Sequence, residues 1–313
     1  KVISKGSTPA GMHISICVEE ILEILRIRPG EKGLDLTLGY GGHTRRMLEE
    51  LKGRGHIYGL DVDAIEIKKT KERLKGFGYG EDILTVIQEN FSEIARIGAE
   101  HGPFDFVLAD LGVSSMQIDN PKRGFSYKMD GPLDLRLNPE KGVTAAERLL
   151  ELSEEEMAGM FMENADEPYA EEIAQEIAGR LKRGGKIETT AQLKEAVRTA
   201  LSFLPENPQK NAMVKKTCQR VFQAIRIDVN SEFEALSAML SGLPGVMAPG
   251  GRAAILTFHS GEDRLVKKAL KQSYKEGIFC DIAKDVIRPS AQECRRNGRA
   301  GCAKLRWAVR SKD

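Results

Sequence analysis

The chain has 313 residues, of which 41% are hydrophobic and 30% charged. These are globular values, which exclude a disordered tail or a collagen-like repeat, and the length predicts about two domains. No run reaches the ~18 apolar residues of a membrane-spanning helix, so no membrane partner is expected. The net charge of +1 hides a segregation: Arg264 to Asp313 holds 14 basic and 5 acidic residues, whereas Glu151 to Glu176 holds ten acidic residues and no basic one. A basic quarter attracts polyanions even in a near-neutral chain; two solvated faces of opposite sign are the plainer account.

The chain opens Lys1-Val2-Ile3-Ser4-Lys5-Gly6, with no apolar signal-peptide core and no initiator Met. The expectation is a cytoplasmic protein whose true start was trimmed. Residues 33–39 form a short apolar run ending in glycine and read as a buried parallel strand. A helix is predicted over 42–52, a second strand over 55–62, a Lys- and Glu-rich helix over 64–75, and strands over 84–88 and 104–110. This alternation is the pattern of an open parallel sheet covered by helices on both faces. Residues 113–143, rich in Gly, Pro, Asp and Ser, read as a long loop. Helical patterns follow at 144–164, 168–182 and 189–204, and Pro205, Asn207 and Pro208 end that block. The sheet pattern then resumes, with a helix over 214–243, a strand over 252–258, a helix over 261–276 and strands over 282–287 and 304–310. An all-helical insertion at 116–211 therefore interrupts an α/β domain built from 1–115 and 212–313. The five cysteines are odd in number and lack a CxxC pair, so free thiols are expected, and no metal site.

In an open α/β sheet, ligands sit outside the carboxyl ends of the strands, near the switch in strand order. The first strand leads into Gly39-Tyr40-Gly41-Gly42-His43, and glycines let a backbone turn tightly against a ligand. The second ends in Asp61-Val62-Asp63, where a carboxylate can accept the ribose hydroxyls of an adenosine. The dinucleotide fingerprint G-x-G-x-x-G is missing its last glycine, which favours S-adenosylmethionine over NAD; a tight turn without a ligand is the remaining alternative. Asp35 lies close enough to receive the ammonium of an amino acid. Phe91, after the third strand, can stack on adenine or fill the core. Asp110 ends the fourth strand and leads into Leu111-Gly112-Val113-Ser114-Ser115-Met116-Gln117.

These segments, with His13 and Ile16, Asn90-Phe91, Arg123-Gly124-Phe125-Ser126, Asp130-Gly131-Pro132-Leu133-Asp134, Phe222-Gln223-Ala224-Ile225-Arg226-Ile227, Pro249-Gly250-Gly251-Arg252, Phe258-His259-Ser260 and Ala303-Lys304-Leu305-Arg306, occur in one order along almost the whole chain. In this the chain resembles the ribosomal RNA small subunit methyltransferase H family, also called MraW. The resemblance implies a Rossmann-like S-adenosylmethionine-dependent methyltransferase with an inserted all-helical domain. It implies methyl transfer to the exocyclic N4 of a cytosine in the decoding region of 16S rRNA. By motif match, Gly41, Gly42, His43, Asp61, Phe91, Asp110 and Gln117 contact the cofactor.

Departures from the family pattern fall in the insertion and the C-terminal part. They include Leu135, Leu137 and Asn138 around Arg136, Gly261 where the family has leucine, and Asn297-Gly298-Arg299-Ala300-Gly301-Cys302 in place of Asn-Pro-Arg-Ser-Arg-Ser. They leave the donor site intact and mark a divergent member or paralogue. Cytosine N4 is a weak nucleophile because its lone pair is delocalised, and the sulfonium is a strong electrophile, so positioning is the main task. Asp110 and Ser114 suit it as acceptors at the strand end, with Asp134 and His259 as further candidates; His259 reads equally well as a structural residue bonded to Asp263 or to backbone. Arg136 reads as an internal partner of Asp134. The expected partner is 16S rRNA or the small ribosomal subunit, met in a cleft between the domains. There Arg295, Arg296, Arg299, Lys304 and Arg306 would neutralise phosphates. A homodimer is allowed, the oligomeric state being left open. Two other readings stay open: the same donor with another acceptor (RNA, DNA or protein), and a non-catalytic RNA-binding ribosome-assembly protein.

Overall fold

The computed structural model describes residues 14–313; His13, among the residues that carry the resemblance, lies outside the described residues. The chain divides into two compact units, Lys1–Ser114 with Phe233–Asp313, and Ser115–Glu232.

The first unit is a seven-stranded sheet in the order β3-β2-β1-β4-β5-β7-β6. The strands are β1 (Lys32–Asp35), β2 (His56–Asp61), β3 (Leu84–Gln88), β4 (Phe104–Asp110), β5 (Met247–Thr257), β6 (Phe279–Ile282) and β7 (Lys304–Arg310). The first five run parallel, and β7 pairs antiparallel with both β5 and β6. This is the doubly wound Rossmann-like arrangement, with an antiparallel strand near one edge. Its order reverses at β1, which has β2 on one side and β4 on the other, so the switch point lies between β1 and β4.

Side chains alternate along each strand and build two separate cores. On one face, Phe104, Val107 and Ala109 of β4 pack with helices α4 (Ile94–His101), α11 (Glu232–Val246) and α12 (Ser260–Lys275). On the other, Phe106 and Leu108 pack with α1 (Val18–Leu25), α2 (Gly42–Leu51) and α3 (Ala64–Gly76). Among the described residues, no helix is long and apolar enough to cross a membrane.

The second unit is helical: α5 (Ser115–Asp119), α6 (Ala145–Glu151), α7 (Glu154–Ala165), α8 (Ala170–Lys182), α9 (Thr190–Ala200) and α10 (Pro208–Val229). Its own core includes Phe161, Ile173, Ile177, Leu193, Val197, Val221 and Ile225. The predicted helix over 144–164 is two helices, because Ser153 starts a new one with a capping box to Glu156.

Two further boundaries differ from the sequence reading. Asn207 and Pro208 begin a helix instead of ending a block: the Asn207 side chain accepts the Lys210 N–H, and Pro208 fills the first turn, where its missing N–H costs nothing. The second unit therefore runs to Glu232 and takes in all of α10, beyond the boundary expected at 211. The helix predicted over 214–243 is broken at Asn230-Ser231. The Asn230 amide donates to the carbonyls of Leu135 and Arg226, both at 2.8 Å, and accepts the Leu137 N–H at 2.7 Å. Ser231 then adopts φ +47, which a continuing helix does not permit. The strand predicted over 282–287 ends at Ile282, and Ile287 keeps only a bridge to Leu305. A short helix α13 (Ala291–Arg296) completes the first unit.

Candidate cofactor site

The first unit holds a crevice whose walls follow from strand register. Asp35, the last residue of β1, lies opposite Gly59 of β2 and Leu108 of β4. Asp61 and Asp110 each stand two residues further along those strands. The central strand thus stops short between two longer neighbours, with carboxylates on both flanks at strand spacings of about 4.8 Å.

The loop 36–41 fills the step and is fixed at nearly every polar atom. Asp35 is buried; its Oδ1 accepts the Thr37 N–H at 3.0 Å, and its Oδ2 is bonded to the Thr44 hydroxyl. The Thr37 hydroxyl accepts the Asp110 N–H at 2.7 Å and so ties the ends of β1 and β4 together. The Gly39 N–H donates to Asp61 Oδ2 at 2.8 Å, and the Asp63 N–H donates to Asp61 Oδ1 at 2.9 Å. Thr70 donates to the Gly39 carbonyl at 2.6 Å; Arg73 donates to the Tyr40 carbonyl at 2.6 Å and covers the Tyr40 ring at 3.4 Å. Gly41 begins α2 at φ +80, and a Cβ there would stand 2.8 Å from the Thr70 methyl. Only glycine makes that turn and leaves the first-turn N–H groups of α2 open to a ligand.

The electrostatics are those of a buried acidic crevice. Burial pushes Asp35 up, only partly offset by the bonds from Thr44 and Thr37 and by His43. Burial likewise pushes Asp61 up to about 6, against the two N–H groups it accepts. Asp61 stays half-buried, so each oxygen keeps a lone pair for a further donor.

His43 turns its side chain into the first unit. It is buried, with Nε2 2.9 Å from the Ile16 carbonyl and Nδ1 3.4 Å from Asp110 Oδ2. Both neighbours offer acceptor atoms, so the site favours a hydrogen on each ring nitrogen and hence the charged ring. Burial opposes this charge, but Asp110, the Ile16 carbonyl and Asp35 outweigh it and hold the pKa above the ordinary value. The stabilisation is complete below about pH 6.5 and is lost as pH rises through the raised pKa of the folded protein. His43→Gln is therefore expected to cost about 1–3 kcal/mol near pH 6 and less near pH 9. Thermal melts of both proteins across that range check it, and a gap that does not change with pH contradicts it.

The other expected site residues are distributed as follows. Phe91 is half-buried after β3 and packs against the sheet core. Ser114 ends the stretch that leaves β4, while Gln117, buried on α5, and Asp134 belong to the second unit. Asp134 is taken up by Arg136, which donates through Nε at 2.7 Å and Nη2 at 2.9 Å.

His259 caps α12. Its Nδ1 accepts the Glu262 N–H at 3.4 Å, which places the hydrogen on Nε2, 3.2 Å from Glu262 Oε1 but without a well-aligned bond. It is tied to backbone, as the structural alternative has it, but not to Asp263. That carboxylate is gripped by Arg306 at 2.7 and 3.1 Å. Arg306 is thereby removed from the expected phosphate-binding set, since it is buried in an internal ion pair. Arg295 and Arg296 remain exposed.

Thr37, Thr44, Thr70 and Arg73 were not singled out from sequence. Thr37 and Thr44 sit inside or beside the glycine motif, but Thr70 and Arg73 reach it only through the packing of α3. Cys17, Glu20 and Glu293 offer three ligand atoms within 4.8 Å of one another. Burial and the nearby acids push the Cys17 thiol up to about 12, so in the metal-free protein it keeps its proton at neutral pH.

A family model described as the MraW methylase family matches residues 10–311. The chain is 63% identical over 310 residues to the Ribosomal RNA small subunit methyltransferase H 1 of Agathobacter rectalis, covering 99% of this chain and 88% of that protein. It is 51% identical over 310 residues to the Ribosomal RNA small subunit methyltransferase H 2 of Acholeplasma laidlawii, covering 99% and 89%. It is 37% identical over 315 residues to the Ribosomal RNA small subunit methyltransferase H of Heliobacterium modesticaldum, covering 95% and 97%.

Proposed function

The chain belongs to the MraW methylase family, and on that premise we propose that it methylates the exocyclic N4 of a cytosine in the decoding region of 16S rRNA, with S-adenosylmethionine as donor. The substrate places the reaction in the cytoplasm. The observation that carries the reading is the crevice itself: a short β1 flanked by Asp61 and Asp110, with a glycine loop between them whose turn at Gly41 packs so closely on Thr70 that a Cβ does not fit.

When bound, S-adenosylmethionine supplies an electrophilic methyl on a sulfonium. Asp61 accepts the two ribose hydroxyls through its open lone pairs. The backbone of Gly41, Gly42 and His43 would hold the amino-acid end, and the Phe91 ring the adenine. Asp110 has Oδ2 turned to the His43 imidazolium, which leaves Oδ1 to accept one hydrogen of the cytosine amine. That bond turns the nitrogen lone pair toward the methyl. Methyl transfer would break the bond to the donor sulfur as the N–C bond forms, releasing S-adenosylhomocysteine, and Asp110 Oδ1 or water would take the one proton the amine loses. Ser114 offers a second acceptor at the strand end. His259 acts as a positioning residue, already committed to a helix cap.

Because the Asp61 carboxyl in the free protein titrates at about 6, the diol is expected to bind best to the ionised form. The Kd for S-adenosylmethionine should rise as pH falls through 6, approaching tenfold per pH unit. Calorimetry between pH 5 and 8 measures this, and a flat profile removes Asp61 from the ribose.

Nucleoside mass spectrometry of 16S rRNA, with and without the gene, tests the reaction. Loss of N4-methylcytidine on deletion supports it. An unchanged decoding-site cytosine, with a different methylated nucleoside lost, would overturn it.

A further inference from the structure

The site above uses the carboxyl ends of β1, β2 and β4 and leaves a second charged feature of the same unit without a role. Helix α12 buries Gly261, Glu262, Val266 and Leu270 toward the sheet. Its exposed residues include Arg264, Lys267, Lys268, Lys271 and Lys275. The spacing i, i+3, i+4, i+7, i+11 places all five in one stripe, on the side of the helix opposite Val266 and Leu270. The stripe runs for about 17 Å at 1.5 Å per residue. No carboxylate falls within it: Glu262 and Asp263 precede it, Glu276 follows it, and Asp263 is already held by Arg306. Among the described residues, no ion pair joins Lys267, Lys268, Lys271 or Lys275 to an acid. Five like charges on one face repel each other and disfavour the isolated protein slightly; a polyanion laid along them reverses the sign of that effect.

The stripe starts at a cavity of about 350 Å³ lined by Phe233, Glu234, Ser237, Gly261, Arg264 and Leu265. Gly261 lets the Phe233 ring lie directly on the first turn of α12: a Cβ there would stand 2.7 Å from Cζ of Phe233. The family pattern has leucine at this position. An aromatic face, a guanidinium and short polar groups around one opening suit an unstacked nucleobase with its phosphate. The location is also right. Asp110 lies opposite Leu256 in the β4–β5 register, and α12 begins four residues after Leu256. The cavity therefore opens on the edge of the sheet where the proposed methyl transfer takes place.

We infer that the outer face of α12 is a docking surface for the rRNA backbone, with one unstacked base lodged in the cavity at its first turn. The inference rests on the reading of rRNA as substrate and adds to it where the strand lies. It assigns Lys267, Lys268, Lys271 and Lys275 to phosphates, and it gives the glycine at 261 a reason.

The test uses the full chain with 30S subunits from a strain lacking the gene. The quadruple variant Lys267→Gln/Lys268→Gln/Lys271→Gln/Lys275→Gln is expected to bind them about 30-fold more weakly at 100 mM salt. Its log K against log salt should be shallower by about three, as for the loss of four phosphate contacts. The Kd for S-adenosylmethionine should not move. The corresponding Lys→Arg quadruple should bind subunits like the parent. Gly261→Leu should weaken subunit binding about tenfold and leave the salt slope unchanged. The inference is overturned if the Gln variant keeps the parental Kd and slope, or if the Arg variant loses as much as the Gln variant. It is equally overturned if the Gln variant instead loses binding to phosphatidylglycerol vesicles while keeping the subunit, which would make the stripe a membrane surface. Unaffected binding by Gly261→Leu would empty the cavity of its base. Should the parent protein itself leave the subunits unmethylated, the proposed function fails; methylation by both parent and Gln variant at equal KM fails only the docking surface.

Discussion

Replacing Asp110 by asparagine is expected to lower methyl transfer to 30S subunits by about 10²–10³-fold, the range found when one preorganised polar group is removed from a transition state. Two effects combine. The carboxylate oxygen proposed to accept the amine hydrogen becomes half of an amide, whose NH₂ end donates where an acceptor is needed. The His43 imidazolium, buried and 3.4 Å from Asp110 Oδ2, loses its counter-charge. The backbone bond from the Asp110 N–H to the Thr37 hydroxyl does not depend on the side chain, so the loop between β1 and β4 keeps its anchor. Affinity for S-adenosylmethionine is therefore expected to change much less than turnover. Transfer of labelled methyl, with calorimetric binding of the donor alongside, separates the two. Activity within threefold of the parent would remove Asp110 from the reacting atoms.

Arg306→Ala is expected to destabilise the first unit by about 3 kcal/mol, the low end of what breaking a buried ion pair costs. Arg306 and Asp263 meet in a two-pronged bond at 2.7 and 3.1 Å, with side chains only 7% and 16% exposed. Truncating the arginine leaves the carboxylate behind. The low end applies because Asp263 lies in the first turn of α12, where a helix end favours a negative charge, and because it keeps some access to water. At a few degrees per kcal/mol for a domain of this size, Tm should fall by about 6–12 °C. The effect has a definite pH dependence. Burial works against the charge on Asp263, but Arg306, Lys304 and Lys267 outweigh it and hold the carboxyl below its ordinary value. A depressed carboxylate contributes stability that is present above its unfolded pKa, about 3.9, and is lost as pH falls through the folded value. The gap between parent and variant should therefore close in strong acid. A second comparison guards the interpretation: Asp263→Leu combined with Arg306→Met should be more stable than Arg306→Ala alone, because no unpaired charge remains. A melting point within 2 °C of the parent at pH 7 would show that the pair adds nothing.

Much of the first unit can be read from residue pattern because its signals are local. The runs at 55–62, 84–88 and 104–110 contain all of β2, β3 and β4. Glycine followed by an acid at the next strand end pointed to the crevice because both features follow from the chemistry of a nucleoside. What the pattern overran was the end of β1. The apolar run continues to Leu38, but beyond Asp35 the chain makes single bonds, Leu36 to the Leu108 carbonyl and Leu38 to the Leu60 carbonyl. Hydrophobicity reports burial there, and burial does not require a strand. The same confusion joined α10 to α11, whose apolar residues run on across Asn230-Ser231 while the backbone turns.

Residue types alone established that the chain is a mixed α/β protein with a nucleoside-type loop, an acidic strand edge and an excess of basic charge near its C-terminal end. Each of these depends on neighbours within a few positions. Tertiary structure decided which polar groups are already committed. Arg306 faces inward to Asp263, and His43 sits between Ile16 and Asp110. The reason is that a hydrogen bond or an ion pair is chosen by distance in space. Partners 27 to 67 residues apart in the chain become neighbours only when the sheet sets its register.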